Sequence, residues 1–310
     1  MNQSSINDRF KPDRVAELLF VGLQYLLPHH FLSSLMHRVT RAELPAFKNA
    51  LIRKVIQWYR IDMQEALETN PASYRSFNAF FTRALKPDAR PVDADEEAIV
   101  CPADGTLSQA GKIEESHLFQ AKGHDYSLLE LLGGDRDMSR RFEDGSFATV
   151  YLSPRDYHRV HMPFGGRLEK MVHVPGRLFS VNDTTTRQVP GLFARNERVI
   201  SLFETSLGPM AVILVGAIFV SSIETVWAGT VTPVSRRVRS WDYPPLHPAE
   251  PVTLQKGEEM GRFNMGSTVI LLFGKDVVDW VDDLKPGVGL EMGERVATLR
   301  AETDTTIDPG

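Results

Sequence analysis

The sequence predicts an α+β fold, with a helical N-terminal segment followed by a mainly antiparallel β domain. Apolar residues in the region 1–70 recur every three to four positions, as on one face of a helix. From about residue 98 the chain changes to short β-rich runs separated by Gly, Pro and Asp turns. The 310 residues are enough for one large domain with an appendage, so we expect the region 71–310 to form the main domain.

Composition excludes several classes of protein. The chain is 42% apolar and 24% charged, which is ordinary for a globular protein. Its net charge of −5 argues against a generally basic nucleic-acid binder. Cys101 is the single cysteine, so the chain can form neither an internal disulfide nor a cysteine cluster for zinc. The N-terminus lacks the pattern of a signal peptide, and we expect an intracellular protein.

The helical segment is predicted in three pieces, broken at Pro28 and Pro45. The first apolar run, Val15 to Leu27, is shorter than the roughly 20 residues of a membrane-spanning helix. Two interpretations remain open: the helices pack on the body of the protein, or they lie in the headgroup layer of an anionic membrane. The third piece carries both an apolar stripe and basic residues: Phe47, Leu51, Val55, Trp58 and Tyr59, with Lys48, Arg53, Lys54 and Arg60 around them.

The β domain is predicted from its short runs and its turns. The longest apolar run, Met210 to Val220, contains Gly216 and fits two paired or bent strands better than a helix. The stretch "DYSLLELLGG", Asp125 to Gly134, is the one long helix expected in this domain.

Two short segments could carry acid–base chemistry. "YLSPRDYHRVHMP" contains His158 and His161, but Pro154 and Pro163 bracket a stretch too short for a convincing helix. A pair of surface histidines is the simpler interpretation of this segment. Asp104 precedes a glycine in "CPADGTLSQ", which is typical of a turn, although a carboxylate there could also orient an imidazole.

A third segment, "GRFNMGSTVILLF", places Gly266-Ser267-Thr268 at the head of an apolar run. A turn followed by a strand explains these residues. Backbone cleavage before Ser267 would require the same residues, because the hydroxyl attacks the preceding carbonyl and a glycine tolerates the strained turn. A histidine would take the hydroxyl proton and an aspartate would hold that histidine. Elimination and hydrolysis would then convert the serine into a pyruvoyl group.

Six motifs occur along the chain in this order: "PADG", "SPRDYHRVHMP", "LFSVN", "LFARNERV", "SSIETVWAG" and "GRFNMGSTVI". Through these motifs, in the family's order, the sequence resembles the pyruvoyl-dependent phosphatidylserine decarboxylases of the bacterial and mitochondrial type over nearly its whole length. The resemblance implies autocatalytic cleavage between Gly266 and Ser267. The products would be a β chain, 1–266, and an α chain of 310 − 266 = 44 residues, which form an αβ heterodimer that could associate further.

The resemblance also implies residue roles. Asp104, His161 and Ser267 match the family's self-processing triad, and His158 matches the histidine assigned to decarboxylation, where we expect it to donate a proton. The pyruvoyl group made from Ser267 would form an imine with the serine headgroup and accept electrons as CO2 leaves, giving phosphatidylethanolamine. No metal or dissociable cofactor is implied. A lipid substrate favours the membrane interpretation of the N-terminal helices, at the cytoplasmic face of the cell membrane.

Two positions depart from the family pattern, and two other functions remain as alternatives. Met265 stands where leucine is usual, and Ser221 stands where glycine is frequent. A zinc hydrolase would use His158, His161 and Asp104 as metal ligands, whereas a non-catalytic lipid-binding module would use Gly266-Ser267-Thr268 only as a turn.

Overall fold

The computed structural model describes residues 12–121, 124–218, 222–232, 236–244, 251–264 and 266–300. Three helices open this part of the chain and antiparallel sheets make up most of the remainder, which confirms the predicted α+β class. The helices are α1 Pro12–Leu26, α2 His29–Thr40, α3 Pro45–Tyr59, α4 Phe77–Phe81, α5 Leu128–Leu131, α6 Arg136–Arg140, α7 Asp183–Gln188 and α8 Leu192–Arg195.

Prolines set the boundaries of the three N-terminal helices. Pro28 separates α1 from α2, and Pro45 occupies the first turn of α3, where a missing N–H leaves no helical bond unmade. The helix α3 ends at Arg60, whose φ of 53° is left-handed. The predicted breaks at Pro28 and Pro45 are therefore confirmed. No helix in the described ranges is long and apolar enough to cross a membrane.

A small apolar cluster joins α3 to α4. Ile52 and Val55 of α3 pack with Tyr74, Phe77 and Phe80. The side chain of Ser76 caps α4 by accepting a hydrogen bond from the Ala79 N–H. This cluster fixes α4 at the edge of the β domain, beside the segment that carries His158.

The β domain is built from short strands. They are β1 Ala98–Val100, β2 Gly105–Lys112, β3 His117–Ala121, β4 His124–Ser127, β5 Ser146–Leu152, β6 Arg159–His161, β7 Gly166–Val174, β8 Arg198–Thr205, β9 Gly208–Gly216, β10 Ile223–Thr225, β11 Gly229–Thr230, β12 Arg239–Asp242, β13 Thr253–Leu254, β14 Glu259–Phe263, β15 Ser267–Phe273, β16 Val278–Trp280, β17 Gly289–Leu290 and β18 Arg295–Leu299. A large antiparallel sheet has the strand order β12-β7-β8-β9-β15-β5-β2-β17, and β13 also pairs with β7. A smaller antiparallel sheet, β11-β10-β14-β6, carries the histidine segment.

The strand β15 explains the apolar run that follows Gly266-Ser267. It pairs with β5 on one side and β9 on the other, and its residues 269–272 are completely buried. A strand covered on both faces is apolar without alternation. Ser267 occupies the first position of this strand, opposite Leu152 of β5 and Gly216 of β9. The apolar run is thus a central strand of the sheet, and this strand begins directly after Gly266.

One element prediction is wrong and one is confirmed in part. The long helix expected over Asp125 to Gly134 is limited to α5, because the preceding residues belong to β4. Gly133 and Gly134 end α5 with φ of 71° and 87°, and Leu128 and Leu131 are buried in the core. The run from Met210 is extended as expected and belongs to β9, whereas residues 219–221 lie outside the described part.

Candidate active site

His158 lies in the loop before β6 and is completely buried. Its Nδ1 is 2.7 Å from the carbonyl oxygen of Asp156. A carbonyl only accepts, so Nδ1 carries the proton and a neutral ring has its lone pair on Nε2. The ring lies against Phe81 of α4, with a centroid distance of 4.0 Å. Nε2 finds no hydrogen-bond partner among the described residues.

Burial keeps His158 neutral. It lowers the pKa of His158 to about 3, and the positive charge of Arg83 lowers it further, against the opposing hydrogen bond to the Asp156 carbonyl. The sequence-based interpretation of a surface histidine pair is therefore wrong for His158. A neutral imidazole with an unused lone pair can accept a proton.

His161 has a different set of contacts. It is the last residue of β6, and its Nδ1 donates to the carbonyl oxygen of Gly257 at 2.7 Å. The hydroxyl of Tyr157 donates to Nε2 at 3.0 Å. Burial lowers the pKa of His161, while the Gly257 carbonyl raises it. Burial raises the pKa of Tyr157 to about 12, so Tyr157 remains a neutral donor. Both ring nitrogens of His161 are thus occupied.

The carboxylate of Asp104 is held by an arginine. Arg90 donates to it from Nε at 2.9 and 3.0 Å and from Nη2 at 2.7 Å, and the Met292 N–H adds a bond of 2.9 Å. Arg90 also reaches Glu65 at 3.0 Å. Burial alone would lower the pKa of Arg90, but its hydrogen bonds to Asp104 and Glu65 raise it overall. Gly105 is next in the chain, and a Cβ there would lie 2.4 Å from the Tyr151 carbonyl oxygen.

Backbone hydrogen bonds bring these segments together. The His161 N–H donates to the Pro102 carbonyl at 2.8 Å, two residues before Asp104. The Phe263 N–H donates to the His158 carbonyl at 3.0 Å, four residues before Ser267. The three segments singled out from the sequence therefore meet where β6 and β14 approach the start of β15. Asp104 and His161 do not make the direct contact expected from the sequence. Instead, Arg90 donates to the Asp104 carboxylate, and His161 Nδ1 donates to the Gly257 carbonyl.

The backbone at Gly266 has an uncommon conformation. Its φ is +38°, a left-handed value that side chains disfavour, and apart from its chain neighbours no atom of the described residues lies within 4 Å of the position a Cβ would take. Ser267 is placed by its backbone at the head of β15, and its side chain is outside what the structure describes. Met265 and Ser221, the two departures from the family pattern, are also outside the described residues.

The metal-site alternative was built on His158, His161 and Asp104. No group of three or more His, Cys, Asp or Glu side chains in the described ranges is arranged to hold a metal ion. The Asp104 carboxylate is bound to Arg90, and His158 Nδ1 is bound to a carbonyl. These contacts favour acid–base chemistry at the histidines over coordination.

Two protein-family models match this chain. The model of a family described as phosphatidylserine decarboxylase matches residues 77–298, and a second family model, described as PSD, matches residues 19–60. The first match covers more than two thirds of the chain and includes every candidate residue above. The chain belongs to the phosphatidylserine decarboxylase family.

Curated relatives agree with this membership. The phosphatidylserine decarboxylase proenzyme of Bordetella avium is 55% identical over 91% of this chain and 95% of the relative. The proenzymes of Shewanella loihica and Azotobacter vinelandii are 55% and 56% identical, over 91% and 90% of this chain. They are covered over 99% and 97% of their own lengths.

Three residues of this decarboxylase-family site were not singled out from the sequence. Tyr157 was visible inside the polar cluster but carried no signal separating it from its neighbours. Arg90 and Arg83 lie in the stretch "FFTRALKPDAR", where lysine and arginine are ordinary surface residues. Only the fold shows that Arg90 binds Asp104 and that Arg83 is buried, with 6% of its surface exposed.

Proposed function

We propose that this chain cuts itself between Gly266 and Ser267 and then, as a pyruvoyl-dependent enzyme, decarboxylates phosphatidylserine to phosphatidylethanolamine and CO2. The decarboxylase activity follows from the family. The observation that carries the cleavage proposal is the left-handed Gly266 directly before Ser267, a few residues after β14, the strand that pairs with the histidine strand β6. The proenzyme name of the relatives supports the same proposal.

The site fits a prosthetic group made from the chain itself. Among the described residues, only the chain neighbours of Gly266 could lie within 4 Å of the position a Cβ would take there, and His158 Nε2 lacks a partner. A pyruvoyl group at position 267 would supply a ketone that binds an amine and withdraws electrons as CO2 leaves. The chain's own residues must then bind the headgroup and move protons.

His161 is our candidate base for self-cleavage. Burial lowers its pKa, so the ring is neutral near pH 7 and can take the proton of the Ser267 hydroxyl. The Tyr157 hydroxyl occupies Nε2 in the uncut chain and must leave that nitrogen before a serine can use it. The charge of Asp104 raises the pKa of His161 from a distance, which favours the protonated ring that cleavage creates.

His158 is our candidate for the proton steps of decarboxylation. The serine headgroup arrives with an ammonium group that must lose a proton before its nitrogen can act as a nucleophile. The lone pair on His158 Nε2 can accept that proton, at a free-energy cost set by the burial that lowers the pKa of the ring. After CO2 leaves, the same nitrogen can return the proton to the carbon that held the carboxylate. One proton is thus taken from nitrogen and delivered to carbon, in agreement with the expected role of His158 as a donor.

The two chains would remain associated after cleavage. The α chain would begin at Ser267, and β15 is hydrogen-bonded along its whole length to β5 and β9, both in the β chain. Separating the chains would expose the completely buried residues 269–272. We therefore propose an αβ heterodimer as the working unit.

The N-terminal helices support a peripheral membrane location. On one side they contact the body: Gln24 accepts from the Ser180 N–H at 3.1 Å, and Arg41 pairs with Glu224 at 3.4 Å. On the other side they expose large apolar side chains to an unusual extent. These exposed residues are Leu19, Phe20, Leu23, Leu26, Phe31, Leu35, Leu44, Phe47 and Trp58.

Packing and membrane binding are therefore compatible, and we propose that the region 1–70 rests on the cytoplasmic face of the cell membrane while 71–310 carries the chemistry. Deleting residues 1–60 would also remove Ile52 from its cluster, so point substitutions test the proposal better. We expect the combined Leu19→Asn, Leu23→Asn and Leu26→Asn variant to lose binding to anionic vesicles in flotation. The matched control is Phe119→Asn, which replaces an exposed apolar residue of β3. Equal flotation of the two variants would contradict the proposal.

The activity is tested with the purified chain and phosphatidylserine in mixed micelles. We expect release of CO2 and formation of phosphatidylethanolamine, and loss of both in Ser267→Ala. Treatment with a metal chelator should leave the rate unchanged, whereas a zinc hydrolase would lose it. A chain that is uncut and inactive after folding would contradict the proposed function.

A further inference from the structure

Arg83 is a buried cation with unused hydrogen-bond donors. Its residue surface is 6% exposed, and its Nε and Nη1 find no acceptor among the described residues. Its Nη2 makes one long contact, 3.4 Å, with the Arg155 carbonyl oxygen. Burial lowers the pKa of Arg83, yet a guanidinium keeps its charge in proteins. Buried charged donors without acceptors are uncommon and call for an explanation.

Arg83 is close enough to His158 for its charge to lower the pKa of that histidine. Phe81, two residues before Arg83, packs against the His158 ring in a tilted arrangement, and the acceptor Arg155 is three residues before His158. The face of the Phe80 ring supports the Arg83 guanidinium at 5.5 Å. The neighbouring carboxylates, Asp104 and Glu65, are already bound to Arg90. This corner of the site therefore holds a fixed positive charge near the His158 ring.

We propose that Arg83 binds the carboxylate of the serine headgroup and so selects substrate at the atom group that leaves as CO2. A carboxylate supplies the negative charge and the acceptor oxygens that the Arg83 donors lack. The same placement brings the adjacent ammonium near His158 Nε2, the atom proposed to accept the ammonium proton. This inference rests on the proposed decarboxylase function and adds a residue for substrate selection.

The phosphate of the lipid is the other anionic group, and it fits a different place. A cavity of about 420 Å³ opens beside Thr82 and Arg159, the chain neighbours of Arg83 and His158. Three more arginines line it, Arg41, Arg75 and Arg262, together with two glutamates. The phosphate is tied to the glycerol and acyl chains, so it must stay nearer the surface than the carboxylate. The buried Arg83 therefore suits the carboxylate, which lies at the end of the headgroup away from the acyl chains.

The test uses the uncut Ser267→Ala chain, in which binding is measured without turnover. Glycerophosphoserine and glycerophosphoethanolamine differ only in the carboxylate, and calorimetry gives the dissociation constant of each. We expect the serine compound to bind at least about ten-fold tighter, as for a charged hydrogen bond. Adding Arg83→Gln should reduce this preference to within about two-fold, and Arg83→Lys should retain part of it. The control Arg141→Gln, at an arginine bound to Glu169 and Glu204, should not change it.

A second readout separates binding from folding. Self-cleavage of Arg83→Gln with Ser267 intact should proceed normally, because His161 and Asp104 are unchanged. In the cut variant we expect KM for phosphatidylserine to rise at least about ten-fold while kcat changes less, as when binding common to ground and transition states is lost. If Arg83→Gln does not fold and cut, Arg83→Lys gives the same two measurements.

Two results would overturn the inference. One is equal binding of the two glycerophospho compounds to the Ser267→Ala chain. The other is an unchanged preference for the serine compound in both Arg83 variants, which would make Arg83 a packing residue only. Either result, together with CO2 release by the wild-type chain, would leave the decarboxylase proposal intact. An inactive wild-type chain would instead reject the decarboxylase proposal, whatever Arg83 binds.

Discussion

His158 and His161 are three residues apart, the first completely and the second partly buried, and their surroundings differ in kind. His161 has a carbonyl on one ring nitrogen and the Tyr157 hydroxyl on the other. His158 has a carbonyl on Nδ1, an aromatic ring against its face and no partner for Nε2 among the described residues. Both ring nitrogens of His161 thus have hydrogen-bond partners within the chain, whereas His158 Nε2 has none among the described residues and is available to a ligand.

This difference teaches that one polar segment can serve two reactions. Self-cleavage happens once and within the chain, so its base can be held by the chain's own groups until the serine displaces one of them. Decarboxylation is repeated on an external substrate, so its base must keep an unused nitrogen in a space from which water is excluded. Arg83, whose charge lowers the pKa of His158, also has donors without acceptors among the described residues, which strengthens the contrast.

The largest expected effect comes from removing the base of the first reaction. Replacing His161 with alanine should slow self-cleavage by about 10²–10⁴-fold, the usual contribution of a positioned base. The rate is read from a denaturing gel during folding. His117→Ala, at an exposed histidine on β3, is the control and should cut normally. Normal cutting by His161→Ala would remove the contrast between the two histidines.

Replacing His158 with alanine should have the opposite pattern. The chain should still cut itself, but CO2 release should fall by about 10²–10⁴-fold because no group moves the proton to carbon. The assay is CO2 release per cut chain. Activity within ten-fold of wild type would assign the proton steps to another residue.

The burial of His158 also predicts a dependence of stability on pH. Its folded pKa is about 3, below the unfolded value of 6.5, so the unfolded chain binds the proton first. The stabilisation is therefore full above pH 6.5 and is lost as the pH falls toward 3, by about 1.4 kcal/mol per pH unit. Urea unfolding of the uncut Ser267→Ala chain measures this slope between pH 5 and pH 6.5.

The histidine itself is tested by His158→Phe in the same background, which should reduce the slope by up to about 1.4 kcal/mol per pH unit. An unchanged slope would show that His158 is protonated in the folded chain at these pH values, and would contradict its role as a neutral base.

The smallest effect is expected at Tyr157. Its hydroxyl holds the nitrogen of His161 that must accept the serine proton, so Tyr157→Phe should speed self-cleavage by about two- to ten-fold, the equivalent of one net hydrogen bond. A gel time course against wild type measures the change. Slower cutting would mean that the tyrosine positions His161 and does not compete for it.

The sequence predicted the parts of this molecule that depend on neighbours along the chain. Helix breaks at Pro28 and Pro45 follow from proline geometry, and the strand after Gly266 follows from its apolar composition. The helix predicted over Asp125 to Gly134 was too long. An apolar run with helical spacing also fits the single turn of α5, which lies between a strand and two glycines.

The contacts of the site required the fold. His158 and His161 were found because they belong to a dense polar segment, and Asp104 was found through the resemblance to a family. Their partners were not found, because Arg90 looks like a surface charge in sequence, and the Met292 N–H that completes the Asp104 site is 188 residues away. Burial of Arg83 depends on packing between α4 and the β6 loop, which no local pattern shows.

The most direct test of the division between the two histidines is intact-mass spectrometry of three denatured proteins: wild type, His158→Ala and His161→Ala. We predict that the first two are split at Gly266/Ser267. Their 44-residue fragments should be lighter than a serine-started peptide by one ammonia, as a pyruvoyl terminus requires. We predict a single uncut mass for His161→Ala. An uncut His158→Ala chain, or a cut His161→Ala chain, would contradict the account.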